Sequence, residues 1–410
     1  MCGKAGDYQM KKIVLCGLNS DTNLGDPLLV DCTKWLFNQV CKEEVIQFVE
    51  MNFLGSITKQ NIREKRSIFR KNIFKSEQKV ISIVKHFISQ KTKTNKKIKE
   101  ISAEYKEYYM SMLKEADLLV FLGGGTIKYH VRLDFGPYYG VVSECAEELG
   151  IPCVINCVGI ESNYNANDYR CKYFSEVLSR DIFKVISTRD NIDELKKYVK
   201  NQNTDVKKIA DIGTWSSDVF GIQKKESKKI GLGIITYKRF EEFSRGISKS
   251  DYEKILYDII QYFSSNSIEW EMFTNGDYED NLYAEYLHNK FCCVNRLIVP
   301  KTTRELVETI SNFQAIISSR LHSCIVAYSL DVPYINIAWN NKNAFFSSNI
   351  NCLERIIDKH NLNISSIIYK LEKAMQEKYD NNFRLEYKRT NIELIEKYLQ
   401  IMEKRGDKNV

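Results

Sequence analysis

Proline is scarce, with five in 410 residues. That excludes a long Pro-rich spacer between domains. No apolar run approaches the roughly 20 residues needed to cross a bilayer. The longest, 116–122 and 151–160, have the length of buried strands. The opening Met1-Cys2-Gly3-Lys4 is followed by polar residues, so no secretory signal is expected. Twelve cysteines are present, yet no Cys-x-x-Cys pair occurs, and Cys292-Cys293 has no His or Cys partner at zinc spacing. Cys16, Cys32, Cys145, Cys153, Cys157 and Cys324 sit in apolar stretches and read as reduced, buried thiols of a cytosolic protein. Histidine is also rare, with five in the chain.

What is present describes a globular chain, 43% hydrophobic and 28% charged. Its length fits two domains of about 150–200 residues each. The net charge of +7 is local: positions 58–100 hold 14 Lys and Arg against three acidic residues, so the remainder is slightly acidic. A general nucleic-acid binder is not implied. Within the basic segment Phe69, Ile73, Val80, Val84, Phe87 and Ile88 recur at helical spacing. It reads as a helical insertion, either a solvated surface helix or one lying on a membrane surface.

Short apolar segments at 12–18, 45–49, 117–122, 152–158 and 185–187 alternate with helical patterns, notably 27–40, 101–115 and 136–149. After the charged stretch 224–229 the alternation restarts, with strands expected at 230–235, 270–274, 296–299, 315–318 and 334–337. Alternating strands and helices imply parallel sheets with crossover helices, and ligands then sit at the carboxyl ends of strands. The expected bounds are an acceptor-binding N-terminal domain over 1–222, a second domain over 229–350, and C-terminal helices over 351–410 that cross back to the first domain.

Polar clusters fall at those strand ends. Gly123, Gly124 and Gly125 follow the 117–122 strand, where consecutive glycines allow close approach of a ligand or a tight turn. Asn23-Leu24-Gly25-Asp26 fills the first strand-to-helix turn, with Asp26 as helix cap or as general base. Arg189 suits a carboxylate or phosphate, while Asp190 is the expected cap of the next helix. Ser318-Ser319-Arg320-Leu321-His322-Ser323 is the sharpest cluster, since it places a histidine at a strand-to-helix turn beside arginine and serines. Lys342 follows the next strand, and His130, near Tyr129 and Arg132, is a candidate acceptor contact.

The order of these segments resembles the polysaccharide pyruvyl transferase family: Asn23 to Asp26, Gly123 to Gly125, Arg189-Asp190, Asp218-Val219-Phe220, Arg320-Leu321-His322 and Lys342. The resemblance implies two Rossmann-like domains facing a cleft, similar to the GT-B glycosyltransferases. It also implies transfer of a carboxyethylidene unit from phosphoenolpyruvate to two hydroxyls of one sugar, with Arg189, His322 and Lys342 associated with the donor. Arg320 either assists there or braces its loop. Asn23, Ser319, the three glycines and His130 are further substrate contacts. No cofactor beyond the donor and no metal is expected, because basic side chains offset the charge. The expected partners are a sugar acceptor, in one form lipid-linked, and a membrane surface met through 58–100, at the cytoplasmic face. Family members often read Gly-x-Gly-Ile-Gly-Pro where this chain has Asn156-Cys157-Val158-Gly159-Ile160-Glu161-Ser162, which puts the local loop shape in question. A GT-B glycosyltransferase using a nucleotide sugar is the alternative, and a non-catalytic scaffold is a third reading that its cations and histidine at strand ends argue against.

Overall fold

The computed structural model describes residues 10–18, 23–42, 44–55, 83–129, 134–243 and 246–406. The chain divides into two compact units. The first comprises Met1–Ser20, Leu36–Lys208 and Ile392–Val410, the second Asp21–Trp35 and Ile209–Asn391. A break near residue 222 is therefore not where the chain divides. The Asn23–Asp26 turn and the segment from Ile209 belong with the second unit.

The first unit carries strands β1 (Lys11–Gly17), β2 (Ile46–Asn52), β3 (Leu118–Ile127), β4 (Cys153–Ile160), β5 (Phe183–Thr188) and β6 (Asp205–Lys208). They form one sheet in the order β2-β1-β3-β4-β5-β6, every pairing parallel. The central strands are almost continuously buried, as parallel strands covered on both faces must be. Helix α1 (Gly25–Val40) starts in the second unit and ends in the first. Then come α2 (Ile83–Leu113), α3 (Gly136–Glu148), α4 (Tyr169–Leu178) and α5 (Ile192–Tyr198). The helix expected over 101–115 is the last part of the 31-residue α2. Its Ile101, Tyr105, Tyr109 and Leu113 are spaced to enter the core together. Of the basic segment, 58–82 lie outside the described residues, as does His130.

The second unit carries β7 (Ile230–Gly233), β8 (Trp270–Phe273), β9 (Leu297–Ile298), β10 (Ala315–Ser318), β11 (Tyr334–Ile337) and β12 (Ile356–Ile357). The sheet order is β12-β11-β10-β7-β8-β9, again all parallel. Read from the other edge, this is the doubly wound dinucleotide-fold order, with its crevice at the carboxyl ends of β7 and β10. The helices are α6 (Ser216–Phe220), α7 (Lys238–Glu242), α8 (Lys249–Ser265), α9 (Tyr278–Lys290), α10 (Thr303–Ser311), α11 (Leu321–Ser329), α12 (Asn341–Asn349), α13 (Ile364–Gln376) and α14 (Asn381–Gly406). Their starts are written in the sequence. Ser248 and Asp251 form a capping box on α8, and Thr302 and Asn363 cap α10 and α13. The α14 helix begins in the second unit and ends in the first, where the Tyr398 hydroxyl donates to Ile155 O.

Asp218 of the Asp-x-Phe segment is structural. It pairs at 2.6 Å with Lys388, whose ammonium lies 4.0 Å from the Trp215 ring centroid. Phe220 packs under the Arg304 guanidinium. No helix of the described residues is long and apolar enough to cross a membrane.

Candidate active site

In the second unit, β10 delivers Ser318, Ser319 and Arg320 to the crevice, and α11 starts at once. Arg320 is buried and does not point to open space. Its Nε donates to Asp280 Oδ2 at 2.5 Å and its Nη2 lies 3.6 Å from Asp277 Oδ1. Asp280 also accepts from Thr236 N at 2.9 Å, in the loop after β7. Burial pushes the Asp280 carboxyl up, while the facing Arg320 charge pulls it down. This buried pair ties together the loops after β7 and β10 and the start of α9, so Arg320 braces its loop.

His322, the second residue of α11, is 8% exposed. Its neighbour is set by the N-terminal turn. A Cβ on Gly25 would fall 1.9 Å from His322 Nδ1, so only a glycine lets α1 begin against the imidazole. The turn is anchored by Asn275, whose backbone oxygen accepts from Leu24 N at 2.9 Å and whose side-chain oxygen accepts from Ser323 Oγ. Asn23, not Asp26, serves the helix start: its Oδ1 accepts from Gly25 N at 3.4 Å. Asp26 sits in the first turn of α1, where a carboxylate suits the helix dipole.

Ser319 Oγ faces the Tyr252 hydroxyl at 3.4 Å, and burial pushes that phenol up to about 12. The loop after β11 is joined to the same edge. Asn343 Nδ2 donates to Ser319 O at 3.3 Å and to Asn336 Oδ1 at 2.7 Å, and Asn336 Nδ2 donates to Ser318 O at 2.9 Å. Lys342 lies in the first turn of α12 and is buried. Asn275, Asp280, Asn336 and Asn343, which the sequence reading passed over, are the partners of Ser323, Arg320, Ser318 and Ser319. For Asn275 and Asn336 the signal was a polar residue at or just past the carboxyl end of an apolar strand; Asp280 and Asn343, each the third residue of a helix, carried no such signal.

In the first unit the glycines are strand residues. The tight turn expected after the 117–122 strand is not formed: β3 runs on through the glycines to Ile127, and α3 begins at Gly136, where a helix was expected. Gly123 is required by the neighbouring strand, since a Cβ there would lie 2.5 Å from Cys157 O. Gly124 has φ 102°, and the β3–β4 register shifts between Gly124 and Ile127. Bulges of this kind re-aim a strand end.

Arg189 follows β5 and is buried. The next helix is capped by Asn191, which accepts from Asp193 N and Glu194 N. Asp190 instead accepts from Ile160 N at 2.7 Å, fixing the end of β4. A Cβ on Gly159 would meet Gly124 O at 3.0 Å, Asp190 Oδ2 at 3.3 Å and Arg189 Nη2 at 3.4 Å. The segment that departs from Gly-x-Gly-Ile-Gly-Pro holds its shape by other means. Glu161 pairs with Lys128 at 2.9 Å, and Ser162 Oγ accepts from Tyr129 N at 3.1 Å. Cys157 adopts φ 62°, a backbone region that favours glycine.

A family model described as Polysaccharide pyruvyl transferase matches residues 23–341. Comparison with curated proteins finds none that matches. Among solved structures, UDP-GlcNAc 2-epimerase from Neisseria meningitidis bound to UDP-GlcNAc aligns at 10% identity over 96% of this chain and 100% of its own, with a TM-score of 0.47. The Methanocaldococcus jannaschii UDP-GlcNAc 2-epimerase with UDP-GlcNAc and UDP aligns at 12% identity over 96% and 100%, TM-score 0.49. Medicago truncatula UGT71G1 complexed with UDP-glucose aligns at 10% identity over 97% and 99%, TM-score 0.49. The α/β class rests on the strand orders of the two sheets.

Proposed function

Because the chain belongs to the polysaccharide pyruvyl transferase family, we propose that it moves the carboxyethylidene unit of phosphoenolpyruvate onto two hydroxyls of a sugar, closing a cyclic ketal and releasing phosphate. The observation that carries this reading is the joining of two distant family segments within one unit, the Asn-x-Gly-Asp turn against His322 of Arg-Leu-His.

In this reading Lys342 is a cation for the carboxylate or phosphate of the donor, and Arg189, in the first unit, has the donor hydrogens that suit the same kind of anion. Arg320 keeps its bracing role. His322 protonates the terminal methylene, which becomes the methyl group, and the middle carbon takes oxocarbenium character. One sugar hydroxyl attacks that carbon, the carbon–phosphate oxygen bond breaks, and the second hydroxyl closes the ring. Of the two hydroxyl protons released, one replenishes His322 and the other leaves on phosphate. An imidazole both gives and takes a proton, so it can run both directions of this transfer. Asp26 is the base that takes the second of these protons from the acceptor hydroxyl and hands it to the departing phosphate.

The reading puts the enzyme in the cytoplasm, and with a lipid-linked acceptor, one of the forms open to it beside nucleotide- and polymer-linked ones, the basic stretch 58–100 meets the anionic membrane face. Part of that stretch is otherwise committed: Lys97 donates to Asp134 O and lies 5.3 Å from the Tyr138 ring centroid. Removing 57–82 abolishes flotation with phosphatidylserine vesicles if this is right; unchanged flotation refutes it.

The reaction is tested by phosphate release from phosphoenolpyruvate on adding glycan from the host envelope. His322→Ala reduces release by about 10²–10⁴-fold, the usual worth of a general acid. Full activity in His322→Ala refutes its role.

A further inference from the structure

One turn of chain after β11 carries four polar atoms that are shut off from solvent and make no hydrogen bond: Trp339 Nε1, Asn340 Nδ2, Asn340 Oδ1 and Asn343 Oδ1. Asn340 is 3% exposed and Asn343 is 1% exposed. A buried polar group left unpaired costs about 1–3 kcal/mol, so four on one turn call for a partner. Asn340 holds the cap position of α12, yet its side chain makes no capping bond. The Trp339 ring stands edge-on to Phe243, 5.1 Å between centroids. The turn lies at the carboxyl edge of β11, beside β10 and its Ser319-Arg320 loop.

The chemistry of the four atoms selects the ligand. Trp339 Nε1 and Asn340 Nδ2 donate, whereas Asn340 Oδ1 and Asn343 Oδ1 accept. The Asn343 orientation is not arbitrary. Its Nδ2 donates to two oxygens, Ser319 O and Asn336 Oδ1, and the Asn336 orientation is itself fixed by donation to Ser318 O. A fully ionised phosphoenolpyruvate has no hydrogen to give to the two acceptors. A vicinal pair of sugar hydroxyls gives and takes hydrogen bonds at both positions.

We infer that Trp339, Asn340 and Asn343 form a subsite for the hydroxyl-bearing ring of a sugar, with Asn340 the residue that selects it. That this sugar is the acceptor rests on the proposed reaction; the demand for a hydroxylated ligand does not. The Trp339 ring, packed against the core of the second unit and edge-on to Phe243, brings its indole N–H to this turn. Acceptor recognition then includes the C-terminal sheet.

The test is saturation-transfer NMR on the full chain with the methyl glycosides of glucose, galactose, mannose and N-acetylglucosamine, alongside phosphoenolpyruvate titrations by calorimetry. At least one glycoside binds the wild type. Asn340→Leu matches the side-chain shape without its polar atoms and weakens that glycoside by at least about tenfold, while phosphoenolpyruvate affinity stays within about twofold. Asn340→Ala, which adds no volume, behaves alike and stands in if Asn340→Leu fails to fold. Wild-type glycoside affinity in either folded variant overturns the subsite, as does the failure of every glycoside to bind the wild type, which would leave the four atoms to water. A protein that binds a glycoside but not phosphoenolpyruvate contradicts the proposed donor and leaves the subsite standing.

Discussion

Gly25 and His322 meet through a side chain that is not there: the Cβ that any other residue would carry at position 25 falls 1.9 Å from the imidazole Nδ1. The first helix of the chain and the helix that bears the candidate acid therefore begin against each other. Leu24 and Ser323, joined through Asn275, hold that register.

Gly25→Ala forces the ring or the helix start to move. A displacement of about 1 Å at a reacting group costs on the order of 10²-fold in rate. The expected outcome is a phosphate-release rate lowered by that order, with overpacking costing about 1–3 kcal/mol of stability in urea titration. A fully active Gly25→Ala protein would show that His322 is not held by this contact.

The Arg320–Asp280 pair gives a second prediction. Removing either partner strands a buried charge, so Arg320→Leu and Asp280→Leu each lose about 3–5 kcal/mol in urea unfolding, and the double variant recovers most of it. Simple additivity of the two losses would contradict the bracing role assigned to Arg320.

Asp134 supplies a pH dependence in the first unit. Burial pushes its carboxyl up from 3.8 to about 6, against the pull of the Lys97 ammonium. The folded protein thus holds a proton that the unfolded chain releases earlier. Stability from this group is fully present below about pH 4 and is lost as pH rises through 6, a change of roughly 3 kcal/mol. Asn in its place keeps an acceptor for Gly136 N, which donates at 3.0 Å to the native carboxylate, and removes the titration. Asp134→Asn should therefore gain on the wild type between pH 4 and pH 7 in urea titrations. An equal gap at both pH values would refute the account.

Much of this fold was legible because the central strands are runs of buried apolar residues. The strands Ala315–Ser318 and Tyr334–Ile337 lie where their composition puts them. The polar edge strand Asp205–Lys208 and the asparagine-rich helix Asn341–Asn349 carry no apolar period and gave no signal. Gly123 to Gly125 read as a loop because glycine is a turn residue by composition; the Cys157 carbonyl that demands Gly123 belongs to another strand. Asp190 and Asn191 both suit a cap, and only the pairing of Asp190 with Ile160 N separates them. The strand ends pointed to His322 and Arg320. The partners that divide their roles, Gly25 for one and Asp280 for the other, come from tertiary contacts that no local pattern records.

The most direct test supplies the purified chain with phosphoenolpyruvate labelled with carbon-13 at its middle carbon, together with glycan from the host envelope, and follows the label by NMR. The account predicts that phosphate appears and the labelled carbon becomes the quaternary ketal carbon of a sugar-bound carboxyethylidene group, in Asn340-intact protein and not in His322→Ala. Untouched phosphoenolpyruvate alongside consumption of an added nucleotide sugar would contradict it.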